Sequence, residues 1–174
     1  KITMEAMHIY RHQTGLRDVG ISITPDEALR FQALYAGQQR HITLSDTMRQ
    51  VLDVCKARFA HVGVITNGGV GSQTGKLKSL GLERWVPEQL VFISDAVGVM
   101  KPAPEIFRMA QKAAGGGPCL FVGDSCTQDI AGAAACGWQT IWMNRRGETP
   151  GPVRPDYTVT SEQALLTCLQ TLAD

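Results

Sequence analysis

The segment CLFVGDSCTQD, residues 119–129, decides the fold that this sequence predicts. Its apolar run ends in Gly123, Asp124 follows at once, and Asp129 stands five residues further on. An unbroken apolar run is typical of a strand buried on both faces, and the polar turn after it opens a predicted helix at about Thr127. Two carboxylates on such a turn could point at one spot and bind Mg²⁺, which prefers oxygen ligands. The residues alone leave a second interpretation open, in which both carboxylates only stabilise the N-terminus of that helix.

Residues 44–174 continue this alternation of apolar runs with helical patterns. The other predicted strands are residues 62–66, 91–94, 139–143 and 157–159, and the predicted helices are one from about Ser45, residues 72–80, 104–114 and about 127–136, and one led by Ser161. Strands that alternate with helices predict an α/β fold whose parallel sheet is covered on both faces. Ligands of such sheets sit at the carboxyl ends of the strands, so we expect the chemistry after Thr66, Ser94 and Gly123.

Residues 1–43 have a different hydrophobic pattern, which predicts helices and no clear strand. Thr24-Pro25-Asp26-Glu27 predicts a helix start, because Thr24 can accept a hydrogen bond from the main chain of Glu27 while Glu27 reaches back. We therefore expect a small helical segment at residues 1–43, distinct from residues 44–174.

Composition excludes several classes of protein. The 174 residues contain 17 Lys+Arg and 16 Asp+Glu, a net charge of +1, which disfavours a broad nucleic-acid-binding surface. No apolar run approaches the roughly 18–20 residues that would span a bilayer, so no membrane partner is expected. The five cysteines show no C-x-x-C spacing, and no basic-then-apolar leader points to secretion, so we expect reduced thiols and a cytoplasmic protein.

Two further strand ends carry polar residues. Thr66-Asn67-Gly68 offers a hydroxyl, an amide and exposed main-chain N–H groups, which suit a phosphate. Lys101-Pro102 would hold a positive charge in a fixed loop, where it could meet a phosphate oxygen. Each segment also has a simpler interpretation, as a helix-capping turn and as a solvated lysine.

The order of these three segments resembles motifs two, three and four of the haloacid dehalogenase-like (HAD) hydrolases. The resemblance covers roughly residues 44–150, and residues 1–43 look like part of that family's helical cap. It implies a doubly wound, Rossmann-like α/β core at residues 44–174 and a partial helical cap at residues 1–43. Within the family the chain looks like a phosphatase, because dehalogenases usually lack the pair Gly123-Asp124. The segment from Trp138 resembles the subgroup of nucleoside 5′-monophosphatases and acylneuraminate phosphatases.

The resemblance also implies a mechanism. In that family an aspartate attacks phosphorus, and water hydrolyses the resulting aspartyl-phosphate. Thr66, Asn67 and Gly68 would then bind the phosphoryl group, and Lys101 would bind it too and offset the charge of phosphate and nucleophile. Asp124 would be a direct Mg²⁺ ligand, and Asp129 would hold the same ion, through water if not directly.

The family's first motif, an Asp-x-Asp after an apolar strand, is missing from these residues. Asp18-Val19-Gly20 comes nearest, but no strand precedes it and Gly20 replaces the second carboxylate. In the family that strand lies at the centre of the sheet. Its loss would leave buried backbone groups unpaired, at a cost of about 1–3 kcal/mol each. We therefore expect the nucleophilic aspartate and the central strand upstream of Lys1 or on another chain.

Three functional hypotheses follow. The first is a Mg²⁺-dependent phosphatase acting on a small phosphorylated metabolite, such as a nucleotide or a sugar phosphate, with residues 1–174 alone inactive. The second is a truncated, catalytically silent domain that binds Mg²⁺ or phosphate or pairs with a partner. The third is a 2-haloacid dehalogenase.

Overall fold

The computed structural model describes residues 3–38 and 41–172, which fall into two compact units, Lys1–Thr43 and Leu44–Asp174. The first unit contains helices α1 (Met4–Arg17) and α2 (Pro25–Gln38). The predicted capping box is present: Thr24 Oγ1 accepts from the main-chain N–H of Glu27 (3.3 Å), and the Glu27 carboxylate accepts from that of Thr24 (2.7 Å). Asp18 caps the C-terminus of α1 and so follows a helix instead of a strand.

The second unit alternates strands and helices, as predicted. Its strands are β1 (Val64–Thr66), β2 (Val91–Ile93), β3 (Leu120–Gly123), β4 (Gln139–Met143) and β5 (Tyr157–Val159). Its helices are α3 (Asp46–Arg58), α4 (Val70–Ser79), α5 (Ser94–Val97), α6 (Pro104–Ala113), α7 (Ala131–Ala134) and α8 (Glu162–Thr171), with short 3₁₀ turns at Leu82–Arg84 and Glu88–Leu90. None of the described helices is both long and apolar enough to cross a membrane.

All strand pairs in the described residues are parallel, and they form two sheets. β1 pairs with β2, with Val64 opposite Val91. β3, β4 and β5 form the second sheet, in that order. The α/β class with parallel strands is therefore confirmed.

Apolar side chains pack on both faces of β3, although no residue of this strand is fully buried and Val122 is 37% exposed. Leu120 packs against a cluster of α3, α8 and β4 residues that includes Val51, Ile141 and Leu165. Phe121, the next residue, packs on the opposite face with Phe107 of α6. Successive strand residues point to opposite faces, so helices flank this strand on both sides, as its unbroken apolar sequence predicts.

A cavity of about 1070 Å³ lies between β1 and β3. Its walls include Gly63 to Ile65 on one side and Leu120 to Gly123 on the other, with α3 residues such as Val51 and Cys55 above. Among the described residues no strand runs between these two edges. The two sheets nevertheless share one apolar cluster, since Ile65 of β1 and Phe121 of β3 both belong to it.

The segment after β3 differs from the ordinary helix that the sequence predicts. Cys126–Ile130 forms a π-helical turn before α7 begins at Ala131. The main-chain O of Ser125 accepts from both Asp129 (2.8 Å) and Ile130 (3.2 Å), so the turn holds an extra residue. Such wide turns often occur at functional sites.

Candidate active site

Asn67 joins the end of β1 to the loop before α6. Its Nδ2 donates to the main-chain O of Lys101 (3.0 Å), and its Oδ1 accepts from the main-chain N–H of Lys101 (2.9 Å). This two-point contact fixes the backbone from which the Lys101 side chain extends. Nδ2 also donates to Oε1 of Gln128 (3.2 Å), beyond β3. The Asn67 amide therefore ties three segments together.

Lys101 and Asp129 form a buried ion pair. Nζ of Lys101 lies 2.6 Å from Oδ1 of Asp129, and the two side chains are only 12% and 5% exposed. The ammonium also lies 5.5 Å from the ring centroid of Phe121. Breaking a buried pair by removing one partner typically costs about 3–5 kcal/mol, because the other charge stays buried. Lys101 is thus a fixed charge and not a mobile surface lysine.

The two carboxylates after β3 have different surroundings. Asp129 is held on both oxygens, since Oδ2 accepts from the main-chain N–H of Ser125 (3.0 Å) while Oδ1 meets Lys101. Asp124 is exposed, and its main-chain O accepts from Nε1 of Trp142 (3.0 Å), which anchors its backbone. The oxygens of the Asp124 carboxylate are therefore accessible to a metal ion or ligand that enters from solvent.

The turn after β1 is supported by two polar side chains. The hydroxyl of Thr66 donates to Oε1 of Gln73 (2.9 Å), one turn into α4. The main-chain N–H of Gly68 donates to Oγ of Ser94 (2.9 Å), a buried residue directly after β2. In this state the N–H of Gly68 and the side chain of Asn67 are occupied by protein groups, so their contact with a phosphate stays a prediction.

The structure brings the sequence-predicted residues to one edge of the sheets. Thr66 and Asn67 follow β1, Asn67 holds Lys101, and Lys101 contacts Asp129 on the turn that begins at Asp124. Within residues 3–38 and 41–172, no group of three or more His, Cys, Asp or Glu side chains could hold a metal ion. Two carboxylates suit Mg²⁺ by their chemistry, but a complete ligand set needs further oxygens.

The sequence did not single out Gln73 or Gln128 as part of this edge, and it marked Ser94 and Gly123 as strand ends without giving either a contact. Gln73, Ser94 and Gln128 each hold one of the predicted residues, and Gly123 leaves the space that the Asp129 side chain fills. The signal for Ser94 was its position at a strand end. Gln73 is a polar residue in the first turn of the helix that follows Thr66, which places it near the same end.

Together the fold and this edge define an α/β protein that gathers a hydroxyl, a lysine and two carboxylates at the carboxyl ends of parallel strands. Residues 8–137 match the model of the haloacid dehalogenase-like hydrolases. The chain therefore belongs to the haloacid dehalogenase-like hydrolase family.

Two relatives with assigned activities are phosphatases. Over 106 residues the chain is 38% identical to pyrimidine 5′-nucleotidase YjjG of Escherichia coli, covering 59% of this chain and 46% of that protein. Over 139 residues it is 32% identical to phosphoserine phosphatase of Thermus thermophilus, covering 78% of this chain and 55% of that protein. The chain thus spans about half the length of these curated relatives.

A solved structure shows the same fold. The HAD-hydrolase YfnB from Bacillus subtilis, whose crystal structure was determined bound to magnesium, superposes with a TM-score of 0.74 at 25% identity. The match covers 97% of this chain and 74% of YfnB. The fold predicted from the sequence is thereby confirmed against an experimental structure.

Proposed function

We propose that the complete protein is a Mg²⁺-dependent phosphatase that hydrolyses a small phosphorylated metabolite. The main observation behind the proposal is the series of contacts from Asn67 through Lys101 to Asp129. These contacts join the segments that follow three strands. The similarity to a nucleotidase and a phosphoserine phosphatase supports this reaction class. Nucleoside monophosphates are the first substrates to test, and sugar phosphates are the second.

The reaction has two steps. A carboxylate oxygen attacks phosphorus, an aspartyl-phosphate forms, and the P–O ester bond breaks as the leaving alcohol takes a proton. Water then attacks phosphorus, which releases inorganic phosphate and regenerates the carboxylate. The protein's main task in phosphoryl transfer is to position groups and offset charge.

The residues of this chain divide that task. Thr66 donates its hydroxyl to a phosphoryl oxygen, and the main chain at Asn67 and Gly68 lies beside the same group. Lys101 supplies a fixed positive charge, which at about 4 Å contributes ~4 kcal/mol at an effective dielectric near 20. Asp124 would bind Mg²⁺ directly and Asp129 through water, because both oxygens of Asp129 already accept hydrogen bonds. Mg²⁺, when bound, would offset negative charge on the transferred phosphoryl group.

The nucleophile in this proposal comes from a strand between β1 and β3. The cavity there is bounded by two strand edges, Gly63 to Ile65 and Leu120 to Gly123, and Asp124 lines it at the carboxyl end of β3. A parallel strand in this space would place its last residues beside Lys101 and Asp124. The strand belongs to a longer form of this polypeptide or to another chain. Mass spectrometry of the purified native protein, with sequencing upstream of Lys1, distinguishes these two sources.

The cytoplasmic location belongs to the same proposal. All five cysteines lie in the described part of the chain, and all are free thiols. A reducing compartment keeps thiols in this state.

The test is phosphate release from p-nitrophenyl phosphate and from nucleoside monophosphates by the full-length protein with Mg²⁺. We expect EDTA to abolish turnover and Mg²⁺ to restore it. Asp124→Ala should lower kcat at least about a hundredfold, because it removes a direct metal ligand. Asp46→Ala is the matched control, since it removes a fully exposed carboxylate from the start of α3.

Each failure has a distinct meaning. Turnover that survives EDTA or Asp124→Ala contradicts the metal role. A folded, full-length protein that hydrolyses no phosphate ester favours the silent-domain hypothesis. Chloride release from a 2-haloacid, without phosphate release, favours the dehalogenase.

A further inference from the structure

The amide of Gln73 lies against the turn that carries Thr66. Its Oε1 accepts the Thr66 hydroxyl at 2.9 Å. A Cβ at Gly68 would lie 2.5 Å from Nε2 of Gln73, so the amide packs closely against the backbone of Gly68. Gln73 therefore packs on the segment that the proposed function assigns to phosphate.

This arrangement conflicts with phosphate binding as it stands. A hydroxyl carries a single proton, and that of Thr66 is directed at Gln73. The unprotonated oxygens of a phosphate ester only accept hydrogen bonds, so Thr66 must turn its proton away from Gln73 to bind them. Oε1 of Gln73 would then face a hydroxyl oxygen with no proton between them, an unfavourable contact.

We propose that Gln73 is a positioning residue whose amide turns over when an anion binds at Thr66. In the turned state Nε2 donates to Oγ1 of Thr66, and the Thr66 proton points at the phosphoryl oxygen. The proposal rests on the proposed function, because it takes the ligand of Thr66 to be a phosphate or phosphate ester.

The rotation costs few existing contacts. Within the described residues, no group accepts a hydrogen bond from Nε2 of Gln73 in the present state, so the amide gives up only the bond to Thr66. The terminal torsion of glutamine is broad and roughly two-fold, so both orientations are accessible. Gly68 tolerates either amide atom at its surface because it lacks a side chain.

The test is a double-mutant cycle in the full-length protein. Gln73→Glu places an acceptor-only carboxylate against Thr66, so it should raise the KM for p-nitrophenyl phosphate and the Ki for inorganic phosphate about tenfold or more. Gln73→Met keeps the length and removes both polar atoms, so it should raise these constants less than Gln73→Glu does, because no acceptor then faces the Thr66 hydroxyl. In a Thr66→Val background, Gln73→Glu should raise KM and Ki by a smaller factor. Only the charge repulsion between the introduced carboxylate and the phosphate would then remain.

Two results of this cycle would overturn the proposal. One is a Gln73→Glu penalty that is equally large in the wild-type and Thr66→Val backgrounds, because such an effect cannot arise through the Thr66 hydroxyl. The other is a Gln73→Met penalty as large as that of Gln73→Glu, because loss of packing would then account for both.

Nuclear magnetic resonance gives a readout that does not need turnover. The side-chain NH₂ signals of Gln73, assigned by their loss in Gln73→Met, should shift on saturation with inorganic phosphate, and the shift should vanish in Thr66→Val. Unchanged signals overturn the role of Gln73 even if the wild type is a phosphatase. A shift in a wild type that hydrolyses no ester supports the anion-linked rotation and contradicts only the proposed function.

Discussion

At the scale of single residues, the candidate site depends on small groups that leave room for charged ones. Gly123 ends β3 directly beneath Asp129, and a Cβ there would lie 2.5 Å from both Cγ and Oδ2 of that side chain. The carboxylate occupies this space while it accepts from Ser125 and pairs with Lys101. Glycine at position 123 is therefore a condition for the buried ion pair.

Gly123→Ala should consequently destabilise the protein by about 1–3 kcal/mol, the range for overpacking a tight site. Gly75→Ala is the control, because Gly75 lies inside α4 and a methyl group there would have nothing within 4 Å. Alanine in a helix interior should stabilise by about 0.5–1 kcal/mol. Urea unfolding of both full-length variants measures the difference, and equal stabilities would contradict the role given to Gly123.

At the scale of elements, one serine connects the starts of two helices. Oγ of Ser45 accepts from the main-chain N–H of Met48 (3.0 Å) and so caps α3, and its hydroxyl donates to Glu162 in the first turn of α8. Arg145, after β4, also donates to Glu162 (2.6 Å). The hydrogen bonds from Ser45 and then Arg145 lower the pKa of Glu162 below its ordinary value of 4.5.

A carboxylate with a lowered pKa in the folded state stabilises the protein above its unfolded pKa, and this contribution is lost as the pH falls through the folded pKa. Ser45→Ala should therefore cost about 1–2 kcal/mol at pH 7, through the lost cap and the lost bond to Glu162. The cost should shrink as the pH falls from the ordinary pKa of 4.5 through the lower pKa of Glu162 in the folded protein, because the carboxylate loses its charge over this range.

Ser161→Ala is the matched control for this change. Ser161 caps α8 through the main-chain N–H of Ala164 (3.1 Å). Urea unfolding at pH 7 and at about pH 3.5 gives the loss of stability caused by each substitution. The loss caused by Ser45→Ala should change more between these pH values than the loss caused by Ser161→Ala. Identical pH dependence in the two variants would refute the link between Ser45 and Glu162.

At the scale of the whole molecule, a cavity lies between β1 and β3 in residues 44–174. Two cysteines, Cys55 and Cys119, line that cavity, and burial raises the pKa of both thiols. Burial also raises the pKa of Cys168, which packs in the neighbouring core and not on the cavity. The three thiols thus differ in location but share the same kind of pKa shift.

Filling the cavity with a strand should protect Cys55 and Cys119 from alkylation and leave Cys168 unaffected. Under the proposed function, iodoacetamide labelling at about pH 8, where a growing fraction of thiol is ionised, compares residues 1–174 with the longer polypeptide that would carry the strand, by peptide mass spectrometry. We expect at least about a tenfold slower reaction of the two cavity cysteines in the full-length protein. Equal protection of all three thiols would indicate a general gain in stability instead of an occupied cavity.

Local patterns made much of the architecture predictable. Largely apolar runs located β1 to β4 to within a few residues, because strands covered on both faces carry little polar alternation. The capping residues Thr24, Ser45 and Ser161 marked helix starts, because a cap is satisfied by groups only three residues away. The π-helical turn at Cys126–Ile130 was not predictable, since no local pattern in the sequence marks its extra residue.

The sequence by itself determined the α/β class, the three polar strand ends and the residue types that gather there, because these follow from periodicity and from neighbours along the chain. Only the tertiary structure decided that Asn67 hydrogen-bonds to the Lys101 backbone and that Gln73 accepts a hydrogen bond from the Thr66 hydroxyl. It also decided that a cavity separates the two sheets. These contacts join residues from different elements, and their geometry is fixed by packing across the whole unit, which no local pattern records.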